Sequence, residues 1–577
     1  MGISSSAPWL KYYDSTPAHL DYPKKTIYEM VRAAADKYPK NIAYEFMGKK
    51  TTFAEFMERI DRTAKAYLAM GIGKGDRVTI CMPNCPQAVD SFYALNRIGA
   101  VSNMIHPLSA ASEIKFYLDF SKSKAILTLD QFYGKVAGIL PELANKDTML
   151  LVARIVDDLP PVLAVGFALT KGRKIPPLPK KGNYVLWNEF MRVGRKRDLP
   201  LPKELGRFTD CASILYSGGT TGTTKGIMLS NLNFNACGLQ TIAASGFAPI
   251  NGMKMLSVMP VFHGFGLGIG IHTALIGGAT CILVPQFNVK TYAELLIKKQ
   301  PNIIPGVPTL FEALLRAENL ENADLSCLKG VFCGGDSLSV ELKKKVDAFL
   351  KKHNAEVQIR QGYGLTECVT ASCLTPKDYN RVGSIGVPFP DTYYKIVKTG
   401  TTEEVDANVE GEICISGPSV MMCYMDNPEE TDHTLRRHAD GRVWMHSGDL
   451  GKMDEDGFVY FSQRIKRMIV TNGYNVYPGQ LENVIDGHEK VLLSCVIGVK
   501  DPYKMQKVKA FVVLKPDYEP SDAIRDEILE YCRGHIAKYA MPYDIEFRAE
   551  LPKTLVGKVA YRVLEEEENE RQSVAQD

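Results

Sequence analysis

The sequence predicts an α/β protein: a large N-terminal domain of parallel-sheet α/β subdomains plus a small β-rich subdomain, followed by a small α+β C-terminal domain. Three observations predict it. Short apolar runs alternate with segments of helical apolar spacing over the first two thirds of the chain, the pattern of a parallel sheet with helices on its faces. Near Asp391 the texture changes to short strands separated by Gly, Asp and Asn turns, which marks a β-rich unit. A chain of 577 residues is also too long for one core, and about 100–200 residues per domain implies three or four units.

The elements follow in order. Residues 26–37 have helical apolar spacing, 77–82 read as a strand and 85–99 as a helix, with further strands at 101–104 and 125–129. The alternation resumes with strands at 255–258, 280–284, 331–333 and 358–361 and helical runs between them. Residues 393–398, 411–416 and 458–461 are the short strands of the β-rich unit. A compact pattern then begins at about Lys466: a helix at 478–487, strands at 492–499 and 509–514, a helix at 522–538 and a basic loop at 552–558. The expected division is an N-terminal domain over 1–465, with subdomains near 1–210, 211–390 and 391–465, and a C-terminal domain over 466–577. A hinge is expected near Arg464 and Arg467.

Composition narrows the class of function. Apolar and charged fractions of 45% and 23% are those of an ordinary globular protein. The net charge of +3 is spread along the chain, so no nucleic-acid partner and no acidic tail is expected. No apolar run reaches the roughly 18 residues of a membrane span, and no basic-then-apolar leader opens the chain. Thirteen cysteines, an odd number with no Cys-x-x-Cys or other metal-ligand spacing, fit a reducing cytoplasm. Cys333, Cys414 and Cys495 sit in apolar strand-like runs and are expected to act as small buried hydrophobes. One stretch stands apart. The apolar residues 158–169 are followed by Lys171, Arg173, Lys174, Lys180 and Lys181, which suits peripheral contact with a membrane surface. A surface helix packed on the N-terminal unit is the alternative.

The chemistry starts with Tyr216-Ser217-Gly218-Gly219-Thr220-Thr221-Gly222-Thr223-Thr224-Lys225-Gly226, directly after an apolar segment. Glycines let backbone wrap closely around a polyanion, hydroxyls add donors and the lysine adds charge, a combination suited to phosphates. The Walker A spacing is absent, and by composition alone an ordinary Gly/Ser/Thr turn also fits. Further motifs follow in order: Pro260-Val261-Phe262-His263-Gly264-Phe265-Gly266, Gly334-Gly335-Asp336, and Gln361-Gly362-Tyr363-Gly364-Leu365-Thr366-Glu367. Then come His446-Ser447-Gly448-Asp449, the run from Arg464 through Lys466 to Asn472-Gly473, and Pro552-Lys553-Thr554-Leu555-Val556-Gly557-Lys558.

Together these motifs resemble the adenylate-forming family of acyl-CoA synthetases, luciferases and peptide-synthetase adenylation domains, from about Thr26 to Val563. The resemblance implies a carboxylate attacking the α-phosphorus of ATP to give acyl-AMP and pyrophosphate, then thiol attack by coenzyme A with release of AMP. It implies that Ser217, Gly219, Thr220, Thr221, Gly222 and Lys225 hold the β- and γ-phosphates, that Glu367 holds Mg²⁺, and that Thr366 donates to the α-phosphate. Tyr363 would stack on adenine, Gly335, Gln361 and Gly362 would meet its edge, and Asp449 and Arg464 would hold the ribose. Lys558 would deliver a cation to the reacting carboxylate from a mobile C-terminal domain turning at Lys466. That domain would then present Asn472 and Gly473 to the CoA tunnel. His263, Gly264, Gly266 and Gly364 would line the acyl site, with glycines on one helix face opening a channel for an apolar tail.

Three positions depart from the family pattern: Gly218 stands where Ser is usual, Thr224 where Pro is usual, and Tyr561 with Arg562 where Arg stands at position 561. The expected substrate is a medium- or long-chain fatty acid, with an aromatic or steroid-like acid as alternative. A ligase loading a carrier protein and an inactive nucleotide- or acyl-sensing module are the other readings.

Overall fold

The computed structural model describes residues 3–196, 199–203, 206–217, 224–471, 474–501, 503–554 and 558–574. Among them, two large sheets carry the N-terminal domain. One has nine strands in the order Val387–Pro388, Cys373–Leu374, Ile359–Tyr363, Gly330–Cys333, Ile303–Gly306, Lys254–Ser257, Thr280–Leu283, Ile42–Phe46 and Lys49–Thr52. Its central pairs are parallel, as the strand–helix alternation predicts. The other has eight strands in the order Cys423–Tyr424, Lys225–Ser230, Cys211–Ser217, Val101–Met104, Arg77–Cys81, Ala125–Leu129, Met149–Ala153 and Val185–Leu186.

The two sheets interleave in sequence, and here the structure corrects the expected subdomain limits. Ile42–Phe46 leaves the first stretch of chain to pair with Thr280–Leu283, while Cys211–Ser217 and Lys225–Ser230 join the sheet of the first subdomain. A boundary near residue 210 therefore does not separate the sheets. Strand partners are chosen by buried surface, not by proximity in the chain, so composition cannot mark this boundary.

One apolar core joins both sheets. Between them runs Pro86–Arg97, with every residue before Arg97 buried, and its polar side chains are each matched. Asp90 accepts from the Arg59 guanidinium at 2.7 Å and the Tyr44 hydroxyl at 3.0 Å, and Asn96 donates to Asn231 at 2.7 Å. Arg59 also grips buried Asp158 through two nitrogens at 3.0 and 3.1 Å, anchoring the base of the apolar segment. The nine-residue helix Pro161–Leu169 that follows buries none of its residues, and Val162 and Val165 are 84% and 61% exposed. Ala164 and Phe167 are its partly buried residues. Among the described residues no helix is long and apolar enough to cross a membrane.

Tyr393–Val397, Gly411–Ser416, Leu435–Arg437, Val443–Met453 and Val459–Arg464 form a third, antiparallel sheet. Ile465–Arg467 is a single 3₁₀ turn with Lys466 exposed, and it leads into a fourth sheet with its own core. In that sheet Val491–Asp501 and Met505–Leu514 make a long hairpin, extending beyond the expected strands because Lys500, Gln506 and Lys507 interrupt the apolar pattern without ending the pairing. The helix expected at 522–538 ends at Arg533, before Gly534, and a 3₁₀ turn follows at Lys538–Ala540.

Candidate active site

The motif residues gather at the carboxyl ends of parallel strands, where α/β sheets bind ligands because loops rather than side-chain layers close that edge. Gly335 follows Gly330–Cys333 with φ of +82°, a conformation that favours glycine. On the neighbouring strand Gln361 lies opposite Cys333, followed by Gly362 and Tyr363. The chain then turns sharply at Thr366–Cys368 and Val369, whose φ of +65° and ψ of −58° form a γ-turn closed by the Thr370 amide on the Cys368 carbonyl at 2.7 Å. A β-branched residue in that conformation is strained, and the turn aims the Val369 carbonyl across the site.

That turn corrects the expected channel. A side chain at Gly264 would meet Val369 O at 1.6 Å, one at Gly364 would meet Thr370 O at 1.9 Å, and one at Gly266 would meet Pro260 O at 2.1 Å. These glycines let backbone segments touch, so the missing side chains open no channel for a tail. The local helix, Phe265–Thr273, is also a buried π-helix and not the α-helix face on which the channel was expected. Beside it the His263 ring accepts the Phe265 amide at 3.1 Å. Burial, with the nearby Lys558 charge, pushes its pKa down to about 3, so His263 is neutral at physiological pH and adds no cation.

On one side of the site, Asp449 is 2% exposed and lies opposite Arg464 across an antiparallel pair. One carboxylate oxygen accepts the Tyr363 hydroxyl at 2.6 Å. The other lies 3.4 Å from Arg464 Nε and has no hydrogen-bond partner among the described residues. Burial raises the Asp449 pKa, and the Arg464 charge opposes that shift. An orphaned, buried acceptor beside an aromatic ring suits a ligand hydroxyl pair attached to a flat base.

On the other side, Ser217 and Lys225 face each other at the mouth of the hairpin that carries the glycine loop. Gly219, Thr220, Thr221 and Gly222 lie outside the described residues, as do Asn472 and Gly473. Lys225 is ion-paired with Glu430 and stands 4.8 Å from the centre of the Tyr424 ring. The Tyr424 hydroxyl donates to Glu367 at 2.9 Å. Lys225 and Glu367 are therefore linked through one tyrosine, with Thr366 next to Glu367 in the same turn. Glu367 offers the hard oxygen that Mg²⁺ prefers, and the lysine across Tyr424 suits the phosphate beyond it.

Lys558 enters from the other domain. Its loop is closed by the Thr554 amide on the Lys558 carbonyl at 2.7 Å, and its Cε lies 3.7 Å from the point where a side chain at Gly335 would start. Burial lowers its pKa, Asp336 and Asp449 raise it, and Arg464 lowers it further. The C-terminal domain is thus docked with Lys558 inside the site. Glu410 holds this arrangement across the hinge by accepting from Ser462 at 2.6 Å and Tyr477 at 2.8 Å. Tyr561, the residue that departs from the family pattern, packs its ring 4.8 Å from the Arg467 guanidinium.

Motif reading missed Tyr424, Glu430 and Glu410. Tyr424 reaches the site because Cys423–Tyr424 pairs with Lys225–Ser230, a contact of nearly two hundred positions for which no local pattern exists. Asp336 was visible inside its Gly-Gly-Asp motif, but its role beside Lys558 depends on domain docking.

A hairpin with Ser217 and Lys225 at its mouth, a buried carboxylate beside an aromatic ring and a lysine delivered by a second domain are the parts that a nucleotide-dependent carboxylate-activating enzyme needs. Residues 31–425 match the AMP-binding enzyme family and residues 480–558 its C-terminal domain, and the chain belongs to that family. It is 34% identical to a long-chain-fatty-acid–CoA ligase of Bacillus subtilis, over 99% of this chain and 100% of that one. It is 32% identical to a protein of the same name from Yersinia pestis, over 97% and 98% of the two chains. Among solved structures it is similar to an ATP-bound RpMatB–BxBclM chimera, at 25% identity with a TM-score of 0.81, covering 94% of this chain and 99% of that one.

Proposed function

We propose that this protein is an AMP-forming acid–thiol ligase that joins a long-chain fatty acid to CoA. The acid's carboxylate oxygen bonds to the α-phosphorus of ATP, the bond to the β-phosphate breaks and pyrophosphate leaves. The CoA thiol then attacks the acyl carbon and AMP departs with the electron pair. The observation that carries this reading is that Lys558 reaches Gly335, Asp449 bonds to Tyr363 and the Tyr424-linked Glu367 and Lys225 follow close by, so that groups from three sheets and two domains meet beyond the strands Gly330–Cys333 and Ile359–Tyr363.

Each residue has a distinct task. Asp449 and Arg464 hold the ribose against Tyr363, and Gly335, Gln361 and Gly362 border the base. Lys225, freed from Glu430 by a stronger anion, grips the leaving phosphates with Ser217 and the loop beyond it. Mg²⁺ held by Glu367 would supply charge neutralisation for that leaving group. Thr366 supplies a hydroxyl for the α-phosphate, and Lys558 meets the negative charge that develops there. His263, being neutral, borders the acid without pairing with it. Rotation at Lys466 withdraws Lys558 and brings Asn472 and Gly473 to the CoA path.

The fatty-acid assignment rests on the full-length similarity to long-chain ligases and on a neutral acyl side of the site. A panel of C6–C18 fatty, benzoic and bile-type acids tests it by pyrophosphate release. Long-chain acids should give the highest kcat/KM, with AMP release dependent on CoA; preference for an aromatic acid, or acyl-AMP that persists with CoA, refutes it.

The segment 158–181 completes the reading as a contact with an anionic lipid surface. Val162, Leu163, Val165 and Leu169 are exposed on a short helix, with exposed Arg173, Lys174, Lys180 and Lys181 close behind. Apolar side chains would enter the headgroup region while the basic residues meet its charge. The double variant Val162→Asp with Val165→Asp should lower sedimentation with anionic vesicles at least about tenfold without changing turnover of a short soluble acid. Unchanged sedimentation overturns this contact.

A further inference from the structure

The antiparallel sheet that carries Asp449 holds a second cluster of reactive side chains, unused by the adenylation chemistry. Cys414 lies directly opposite His446 on paired strands. His438 follows Leu435–Arg437 in a tight turn, closed by the Gly441 amide on its carbonyl at 3.0 Å. All three side chains are buried, and a thiol sulfur and one nitrogen from each imidazole lie within 4.8 Å of one another. The two histidines are eight positions apart and Cys414 lies well before both, and the expectation that Cys414 is only a small core hydrophobe does not account for these neighbours.

The hydrogen bonding sets the orientation of these groups. His446 Nδ1 is 2.9 Å from a Glu412 oxygen, while the other Glu412 oxygen accepts the Gly448 amide at 3.0 Å. The imidazole proton is therefore held at Nδ1, and the Nε2 lone pair points inward, 3.0 Å from Nε2 of His438. His438 Nδ1 is buried with no hydrogen-bond partner among the described residues. With protein groups alone, two ring nitrogens share one proton and a third polar atom is unmet in the interior, an arrangement that costs stability.

We propose that Cys414, His438 and His446 bind a zinc-class divalent cation. A thiol and two imidazoles are the ligand set that such borderline-soft ions prefer, and a carboxylate on the far nitrogen of a ligating histidine is the usual outer support. The charges also balance. A Cys414 thiolate and the Glu412 carboxylate together match a divalent ion, while the nearby Lys395 ammonium is already matched by Asp440 at 2.6 Å. The site ties two paired strands to the turn after Leu435–Arg437, three positions ahead of Asp449, so its role is to brace the strand that carries Asp449 and not to take part in the reaction.

The test is metal analysis of the full-length protein, purified without metal-affinity steps, equilibrated with zinc and then dialysed against a weak chelator. The wild type should retain about one zinc per chain, and Cys414→Ser and His438→Gln should each retain less than about a tenth of that. Cobalt substitution should give the wild type a thiolate-to-cobalt charge-transfer band that Cys414→Ser lacks. Wild-type protein with neither retained zinc nor that band overturns the site, whatever the folding of the variants. Zinc retained equally by wild type and both variants also overturns it, by placing the ion elsewhere.

Discussion

Lys558→Ala should lower the rate of acyl-adenylate formation by about 10²–10³-fold while changing ATP affinity by less than about threefold. Its ammonium sits beside Gly335, among Asp336, Asp449 and Arg464, in a loop belonging to the second domain. A cation supplied from there meets charge only as the reacting oxygens gain it, so its loss raises the barrier and leaves the bound nucleotide in place. Pyrophosphate release without CoA measures the first quantity and calorimetry with ATP the second. Because burial lowers the Lys558 pKa, the cation is present at low pH and is lost on the alkaline side sooner than for a free lysine. Adenylation should therefore fall as pH rises through that depressed value, and Lys558→Arg should move the fall to higher pH. Near-normal adenylation by Lys558→Ala would remove the residue from the reaction.

Asp449→Asn should act in the opposite sense, weakening ATP binding by about 10–100-fold, the equivalent of one or two charge-assisted hydrogen bonds. The maximal adenylation rate at saturating ATP should stay within about tenfold of the wild type. The argument rests on the second carboxylate oxygen: one Asp449 oxygen accepts from Tyr363, and the other lies 3.4 Å from Arg464 Nε with no hydrogen bond among the described residues. Arg464 is partly exposed, so the substitution leaves no buried unpaired cation and the fold should survive. The two variants divide the site cleanly, with Asp449 read in the affinity for ATP and Lys558 in the rate. A fall in maximal rate with unchanged ATP affinity in Asp449→Asn would place this carboxylate outside the nucleotide site.

Much of the fold was legible because its signals are local. The strand at Arg77–Cys81 and the helix at Pro86–Arg97 declare themselves by period and by the proline at the helix start. The helix at Ile27–Lys37 begins where Thr26 and Glu29 cap each other. Sheet membership was not legible, because Ile42–Phe46 and Thr280–Leu283 are joined only by the area they bury together. The glycines next to His263 misled for a related reason. A run of small residues reads equally as a channel or as a place where backbones touch, and the Val369 turn that fills the space comes from another part of the chain.

For the site, the sequence by itself determined the chemical inventory: the hydroxyl-rich glycine loop, Glu367, Asp449, Arg464 and Lys558, in an order whose resemblance to the adenylate-forming family implies carboxylate activation. Only the tertiary structure decided which of these groups act on one another. It brought Tyr424 between Lys225 and Glu367, left one oxygen of Asp449 without a hydrogen bond among the described residues, neutralised His263 by burial and gathered Cys414, His438 and His446 from two strands and a turn. The physical reason is common to all of them. Residue type sets what a group can donate, accept or ligate, whereas its partners and its charge state depend on distance and burial, which appear only when distant strands close around it.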